Sequence, residues 1–303
     1  RRACRCGKEL LTGRSVEHRR EWVRRRMEFV SSIFGIDCLT YTALSNHLHS
    51  VLRSRPDVVQ SGSDEEVAIR WLRLFHRKRP TERKKQDRPE EKGKCKEQKS
   101  DPAGTMPLEE SYVPSRKEIS SIVNDAERLK ELRSRLSDVS WWMRALAENI
   151  ARRCNIEDEC GGRFWQGRFG CQLLLDEASL LACTMYADLN PIRAAMAETA
   201  ELSKYTGAKD RIDDLTARTE SEGGADHQWE REGKGKRSGW MSPLELDERV
   251  DPIGPDAATT GRRASNKGFL PISIRDYLQL LDWTGRSIQS GKRGAVPKHL
   301  API

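Results

Sequence analysis

A chain of 303 residues with a formal net charge of +8 and a pI near 9.1 is long enough for a catalytic core and is biased toward an anionic partner, nucleic acid being the commonest. With 33% charged residues and a mean hydropathy of −0.74, part of it is expected to lie outside any packed core. No run of about 18 apolar residues occurs and no charged-then-apolar leader is recognisable, so neither a membrane span nor a signal peptide is indicated and a cytoplasmic protein is expected.

The abrupt opening RRACRCG points to a natural start, with a first strand, ahead of Arg1. From Val16 to Phe34 the residues Trp22, Val23, Met27, Val30, Ile33 and Phe34 recur at helical spacing. The arginines between them, Arg19-Arg20 and Arg24-Arg25-Arg26, are expected on a solvated face or in a groove for a nucleic-acid backbone. Gly35 ends this helix. Ile36 to Leu44 and His47 to Leu52 then read as two antiparallel strands joined tightly at Ser45-Asn46. Ser63 with Glu66 opens a helix that buries Val67, Ile69, Trp71, Leu72 and Phe75.

Residues 77–100 hold 11 Lys/Arg and 5 Asp/Glu, hence 11 − 5 = +6, with almost no apolar residue, so 78–112 reads as a charged, disordered insertion. A polar helix is expected from Pro114 toward Leu136, and a second from Ser137 to Cys154 carrying Trp141, Trp142, Met143, Leu146 and Ile150. Arg163 to Leu175 alternates in a way that predicts a hairpin or two short strands. Asp176 caps a further helix that runs until Pro191 interrupts it. Residues 201–268 read as a polar linker, and 269–303 as a small helical segment around Tyr277, Leu278, Leu280, Leu281 and Trp283. The eight cysteines include no C-x-x-C pair and several sit among apolar neighbours, so reduced structural thiols are expected.

Two local patterns carry chemistry. In a strand His47 and His49 project to one face while Leu48 points to the other, which presets two neutral imidazoles for a divalent cation. Such a cation polarises a phosphodiester; oxygen-preferring Mg2+ and the more imidazole-tolerant Mn2+ are the candidates. On a helix Tyr186 and Asn190 lie one turn apart, so a phenol able to form covalent bonds neighbours an amide oxygen able to ligate the same ion. Taken alone, the first pattern reads more readily as exposed strand histidines and the second as a tyrosine packed in a core or interface.

Three blocks together resemble the HUH-type single-tyrosine transposases, specifically their REP-associated branch. They are Ser45-Asn46-His47-Leu48-His49, then Gly162-Arg163-Phe164-Trp165-Gln166-Gly167-Arg168-Phe169, then Tyr186 to Ala194, in matching order and spacing over roughly Arg1 to Ala197. The resemblance implies an α+β fold, with a ferredoxin-like (RRM-like) antiparallel sheet carrying packed helices, formed by 1–77 and 113–200. It implies His47 and His49 as metal ligands, Tyr186 as nucleophile, and Mg2+ or Mn2+ as the ion. Asn190 stands where other members carry glutamine, as in the REP-associated branch, and is the candidate third ligand. The implied setting is the bacterial cytoplasm, and the implied reaction cleaves and rejoins single-stranded DNA, at hairpin or palindromic repeat ends, through a 5′-phosphotyrosine link. Around that site Arg163, Arg168 and Arg193 are candidate phosphate contacts, and Trp165 and Phe164 candidate base-stacking platforms. Relatives of this kind act as dimers or monomers, so a homodimer stays open. Two other readings stand beside this one: a non-catalytic relic that binds DNA or RNA, and a zinc-stabilised RNA-binding protein resting on the cysteines.

Overall fold

A computed structural model of the chain describes residues 6, 15–75, 112–219, 236–247, 254–287, 291 and 293–302. The chain divides into two compact units, Arg1–Gly62 with Arg133–Ile303, and Ser63–Leu132. The charged insertion lies outside the described residues except at its last position, Tyr112.

The larger unit is built on a hairpin. Strand β1 (Ile36–Ala43) pairs antiparallel with β2 (Leu48–Ser54), and Leu44 donates its amide to the His47 carbonyl across the Ser45-Asn46 turn. The register slips between Cys38 and Thr40, leaving Leu39 as an extra residue on β1. This bulge resets the alternation, so Thr40 and Thr42 share one face and Tyr41 takes the other. The carbonyls disturbed by the bulge are recruited elsewhere: Cys38 accepts from the Ser242 amide and Leu39 from the Arg211 guanidinium.

Helix α1 (His18–Ile33) packs on β1 and on a later helix. The apolar stripe Val23, Met27, Val30 and Ile33 is buried as the spacing predicts, but the arginines do not form a solvated face. Arg19, Arg20, Arg24 and Arg26 are all buried, Arg20 paired with Glu17 beside it and the other three with acceptors that the tertiary fold brings to them. Arg24 meets Asp210 at 3.1 Å, Arg19 meets Glu157 at 2.6 Å, and Arg26 donates to the Ala145 carbonyl. A buried guanidinium needs such partners, and their contributors lie more than 100 positions away in sequence.

After β2 come α2 (Pro56–Ser61), with proline in its first turn, and α3 (Asp64–Leu74), whose cap Ser63 accepts from the Glu66 amide. The expected single polar helix is two: α4 (Arg116–Val123), opened by the capping box of Ser115 and Glu118, and α5 (Ala126–Leu136). Asn124 and Asp125 break it, since each offers the backbone a competing hydrogen bond; the Asp125 carboxylate accepts from the Arg128 amide. In the smaller unit α3 packs on α4, burying Val67, Ala68, Trp71 and Ile122. Helix α6 (Val139–Glu157) presents Trp142, Leu146, Ile150 and Cys154 to the interior and packs against α1.

The predicted hairpin at Arg163 to Leu175 is not formed: the segment is irregular and mostly exposed, with Leu173 and Leu175 facing outward. Alternation marks a strand only where a neighbouring strand takes up the ladder, and among the described residues the sheet has two strands. The architecture is therefore mixed α and β around a two-stranded antiparallel sheet. Asp176 then caps α7 (Glu177–Arg193), accepting from the Ser179 amide at 2.7 Å; Pro191 sits within its last turn instead of stopping it.

The described residues of the region read as a polar linker, 201–268, contribute to the core. The region carries α8 (Gly207–Thr219), and Trp240, Met241, Leu244 and Ala264 are buried. Its polar composition misled because its charges are consumed internally: Asp210 takes Arg24, Arg237 and the Tyr41 hydroxyl, and Ser265 binds Asp37. The C-terminal helix is as expected, α9 (Ile274–Arg286), burying Tyr277, Leu278 and Leu281 and leaving Trp283 exposed. Its apolar side joins one core with Leu39 and Val51 of the hairpin and Met185, Leu189 and Ile192 of α7. Cys6, Cys38 and Cys154 are buried, and burial pushes the Cys154 thiol up to about 12. No helix among the described residues is long and apolar enough to cross a membrane.

Asp37 is the strongest tie between the hairpin and the region after residue 236. It is buried on β1, receives Arg53 at 2.7 Å and Arg55 at 3.4 Å, and accepts from both the amide and the hydroxyl of Ser265. Asp37→Ala leaves the Ser265 amide and hydroxyl without their acceptor, while Arg53 and Arg55 keep the Lys267 carbonyl and Asp57, and is expected to lower unfolding free energy by about 1–3 kcal/mol, read from urea denaturation.

Candidate functional site

The site forms where α7 packs on β1 near the turn end of the hairpin. His47 closes the turn and His49 sits on β2 directly opposite Thr42 of β1. The two rings lie 4.8 Å apart, centroid to centroid, nearly perpendicular. The Tyr186 ring stands 5.6 Å from His49, edge to face. Residues 186 − 47 = 139 positions apart thus share one surface, and the Tyr186 side of it is open, the residue being 51% exposed.

Two hydroxyl groups determine where α7 lies. Pro191 has no N–H to give the Ala187 carbonyl, one turn back, so that carbonyl is released from the helix ladder. Thr42, the cross-strand neighbour of His49, donates its hydroxyl to it. One helical step on, Asp188 is wholly buried and accepts from the Thr40 hydroxyl at 2.8 Å. The helix is therefore pinned at two consecutive residues, one to the strand partner of His49 and one to the next threonine on the same face. Tyr186, immediately before the pinned Ala187, is turned outward over the imidazoles.

The imidazoles have the character of ligands. The His47 Nδ1 lies 2.6 Å from the Asn46 Oδ1, which makes Nδ1 the protonated nitrogen and leaves Nε2 as the free donor. The His49 Nε2 is buried with no hydrogen-bonding partner, an orphan acceptor or donor of the kind that an ion or substrate group completes. Burial lowers the pKa of His47, and burial together with the neighbouring His47 lowers that of His49, so both are neutral at about pH 7. Among the described residues no third His, Cys, Asp or Glu joins them. The remaining positions would fall to oxygen donors, Asn190 and Tyr186 being the side chains on that part of α7.

The other expected site residues separate into two groups. Arg163 and Arg168 are exposed on the irregular segment ahead of α7. Trp165 is half-buried, with its indole N–H given to the Ala147 carbonyl at 2.8 Å, and Phe164 is buried against it. Phe164 is thus a core residue and not a stacking platform. Arg193 is also no surface cation. It is buried and donates to the carbonyls of Thr284 and Ser287 at the end of α9, at 2.7 and 2.6 Å, and burial without a carboxylate partner lowers its pKa. Sequence reading passed over Asp188, Thr40 and Tyr277. One signal was available: Met185, Asp188 and Ile192 form a single helical stripe, so Asp188 is a charge placed on a core face.

No protein-family model matches this chain, and no curated protein or solved structure shows significant similarity to it.

Thr42→Val keeps the shape of the side chain but leaves the Ala187 carbonyl unpaired, and is expected to cost about 1–3 kcal/mol in urea unfolding. Because a bound cation competes with protons for imidazole nitrogens whose pKa values lie below 6.5, Mn2+ affinity is expected to be flat from about pH 8 to pH 7 and to fall as pH drops further. Calorimetric titration reads this, and His49→Ala should abolish the signal.

Proposed function

We propose that the chain is a single-tyrosine transposase of the HUH type, REP-associated branch, which cleaves and rejoins single-stranded DNA with Tyr186 as nucleophile. The observation that carries the reading is the 5.6 Å approach of a half-exposed tyrosine to an imidazole whose buried nitrogen lacks a partner, beside a second imidazole. A binding surface alone has no use for two neutral, partly desolvated histidines facing a phenol. The +8 charge and the exposed Arg163 and Arg168 suit a polyanionic substrate. On this reading the hairpin and the helices packed on it are the described part of a ferredoxin-like domain.

His47 and His49, with Asn190 as a candidate third donor, would hold Mg2+ or Mn2+; the ion when bound supplies Lewis-acid polarisation of the scissile phosphate. The chain's own residues do the rest. Tyr186 gives up its phenolic proton and its oxygen attacks phosphorus, so a tyrosyl O–P bond forms as the bond to the 3′ oxygen breaks. That oxygen takes up a proton and leaves as a 3′-hydroxyl. The 5′-phosphotyrosine link conserves the energy of the broken bond, and attack by a 3′-hydroxyl reverses the exchange without a nucleotide cofactor. Asn46 holds His47 in one tautomer throughout.

The test is incubation of the full chain with Mn2+ and a labelled pool of single-stranded hairpins with randomised tips, followed by a denaturing gel. A protein-linked band is expected from the wild type and none from Tyr186→Phe, which should still bind the pool. Binding without any linked band from the wild type would replace this reading with the non-catalytic one.

A further inference from the structure

Asp188 raises a question that the tyrosine and the histidines do not answer: why a carboxylate stands on the buried stripe of the nucleophile's helix. It is wholly buried, and burial alone raises its pKa. Four groups from three different elements compensate it. The Thr40 hydroxyl of β1 lies at 2.8 Å, the Ala208 amide at the start of α8 at 3.1 Å, and the Tyr277 hydroxyl of α9 at 2.6 Å, while the Arg211 guanidinium acts on it electrostatically. The amide belongs to the first turn of α8, whose N-terminal end favours a negative charge. Glycine is required there, since a Cβ on Gly207 would fall 2.1 Å from the Thr40 hydroxyl oxygen. Tyr277 is itself fully buried and its hydroxyl pKa is pushed well above 10.0 by burial and by Asp188, so it remains a donor.

We infer that Asp188 is a positioning residue for Tyr186, and that Tyr277 makes the C-terminal helix a second support for the nucleophile. The buried carboxylate locks α7 against β1, α8 and α9 so that the phenol stays over the imidazoles. The inference rests on the transposase reading above and deepens it. Asp188 lies two residues from Tyr186, a little over half a helical turn, so the carboxylate is on the inward side when the phenol is on the outward side. Rotation or sliding of α7 that would move the phenol must break the bonds to Thr40 and Tyr277 first. Arg193, on the same helix, grips the carbonyls of Thr284 and Ser287, so α9 holds α7 at a second point about one and a half turns further on. A purely structural role would need only apolar packing here, which Leu278 and Leu281 already supply.

The experiment uses the full chain with Tyr277→Phe, which deletes one hydroxyl, and Thr40→Val, with Thr40→Ser as the conservative rescue. Three quantities are read: the rate of covalent adduct formation on the hairpin pool with Mn2+, the affinity for the same DNA, and amide hydrogen exchange over residues 184–190. Adduct formation is expected to fall on the order of 10- to 100-fold in Tyr277→Phe and Thr40→Val. DNA affinity should change less than about two-fold, exchange in 184–190 should accelerate, and Thr40→Ser should restore both rate and protection. Equal adduct rates in wild type and Tyr277→Phe overturn the positioning role, whatever happens to stability, and so does unchanged exchange. Failure of the transposase reading looks different, because then the wild type itself forms no adduct, and the positioning claim falls with it.

Discussion

The structure depends on the docking of one helix onto one strand through hydroxyl groups. Proline within α7 frees a carbonyl, a threonine on β1 takes it, and the next threonine on the same face takes the adjacent carboxylate. Apolar packing would hold the two elements together with some freedom to slide. Directional bonds at consecutive positions do not allow this, because each is buried and each costs the desolvation of its partner if broken. The bulge at Leu39 is part of the same arrangement, since without it the alternation would present Tyr41 in place of the threonines.

The legible part of the molecule was local. The hairpin, the helix from Val16 to Phe34, the Asp176 cap and the C-terminal helix all follow from period and capping residues that act within a few positions, and each is present with its ends displaced by a few residues at most. The histidine pair and the tyrosine were legible as chemistry, and their meeting is a product of the fold. What could not be read was the use of charge. The arginines of α1, the acids of α8 and the serines near residue 265 look like a solvated surface or a linker in sequence, because a guanidinium reveals a buried role only once its acceptor arrives. Arg193 failed for the same reason, its acceptors being carbonyls about 90 positions further on. The segment Arg163 to Leu175 failed in the opposite sense: its alternation is real, but no described strand lies beside it to pair with it.

A third of the residues are charged, and a notable part of that charge is internal. Asp37, Asp188 and Asp210 are each buried, Asp37 gathering donors from two separate stretches of chain and the other two from three each. Such centres add little net stability over apolar replacements, yet they fix which segment faces which. That specificity is what a site assembled from a hairpin and a distant helix requires, since an error of an ångström there separates phenol from imidazole.

The bond between Tyr277 and Asp188 bears on where this protein can be divided. Every recognisable motif lies before residue 197, and a fragment cut there would look like a sensible minimal domain. It would expose the inner faces of Met185, Leu189 and Ile192 and abandon a carboxylate in the middle of them. Helices α8 and α9 are the floor on which the helix carrying Tyr186 rests, and a shortened version would keep every motif residue while losing that support.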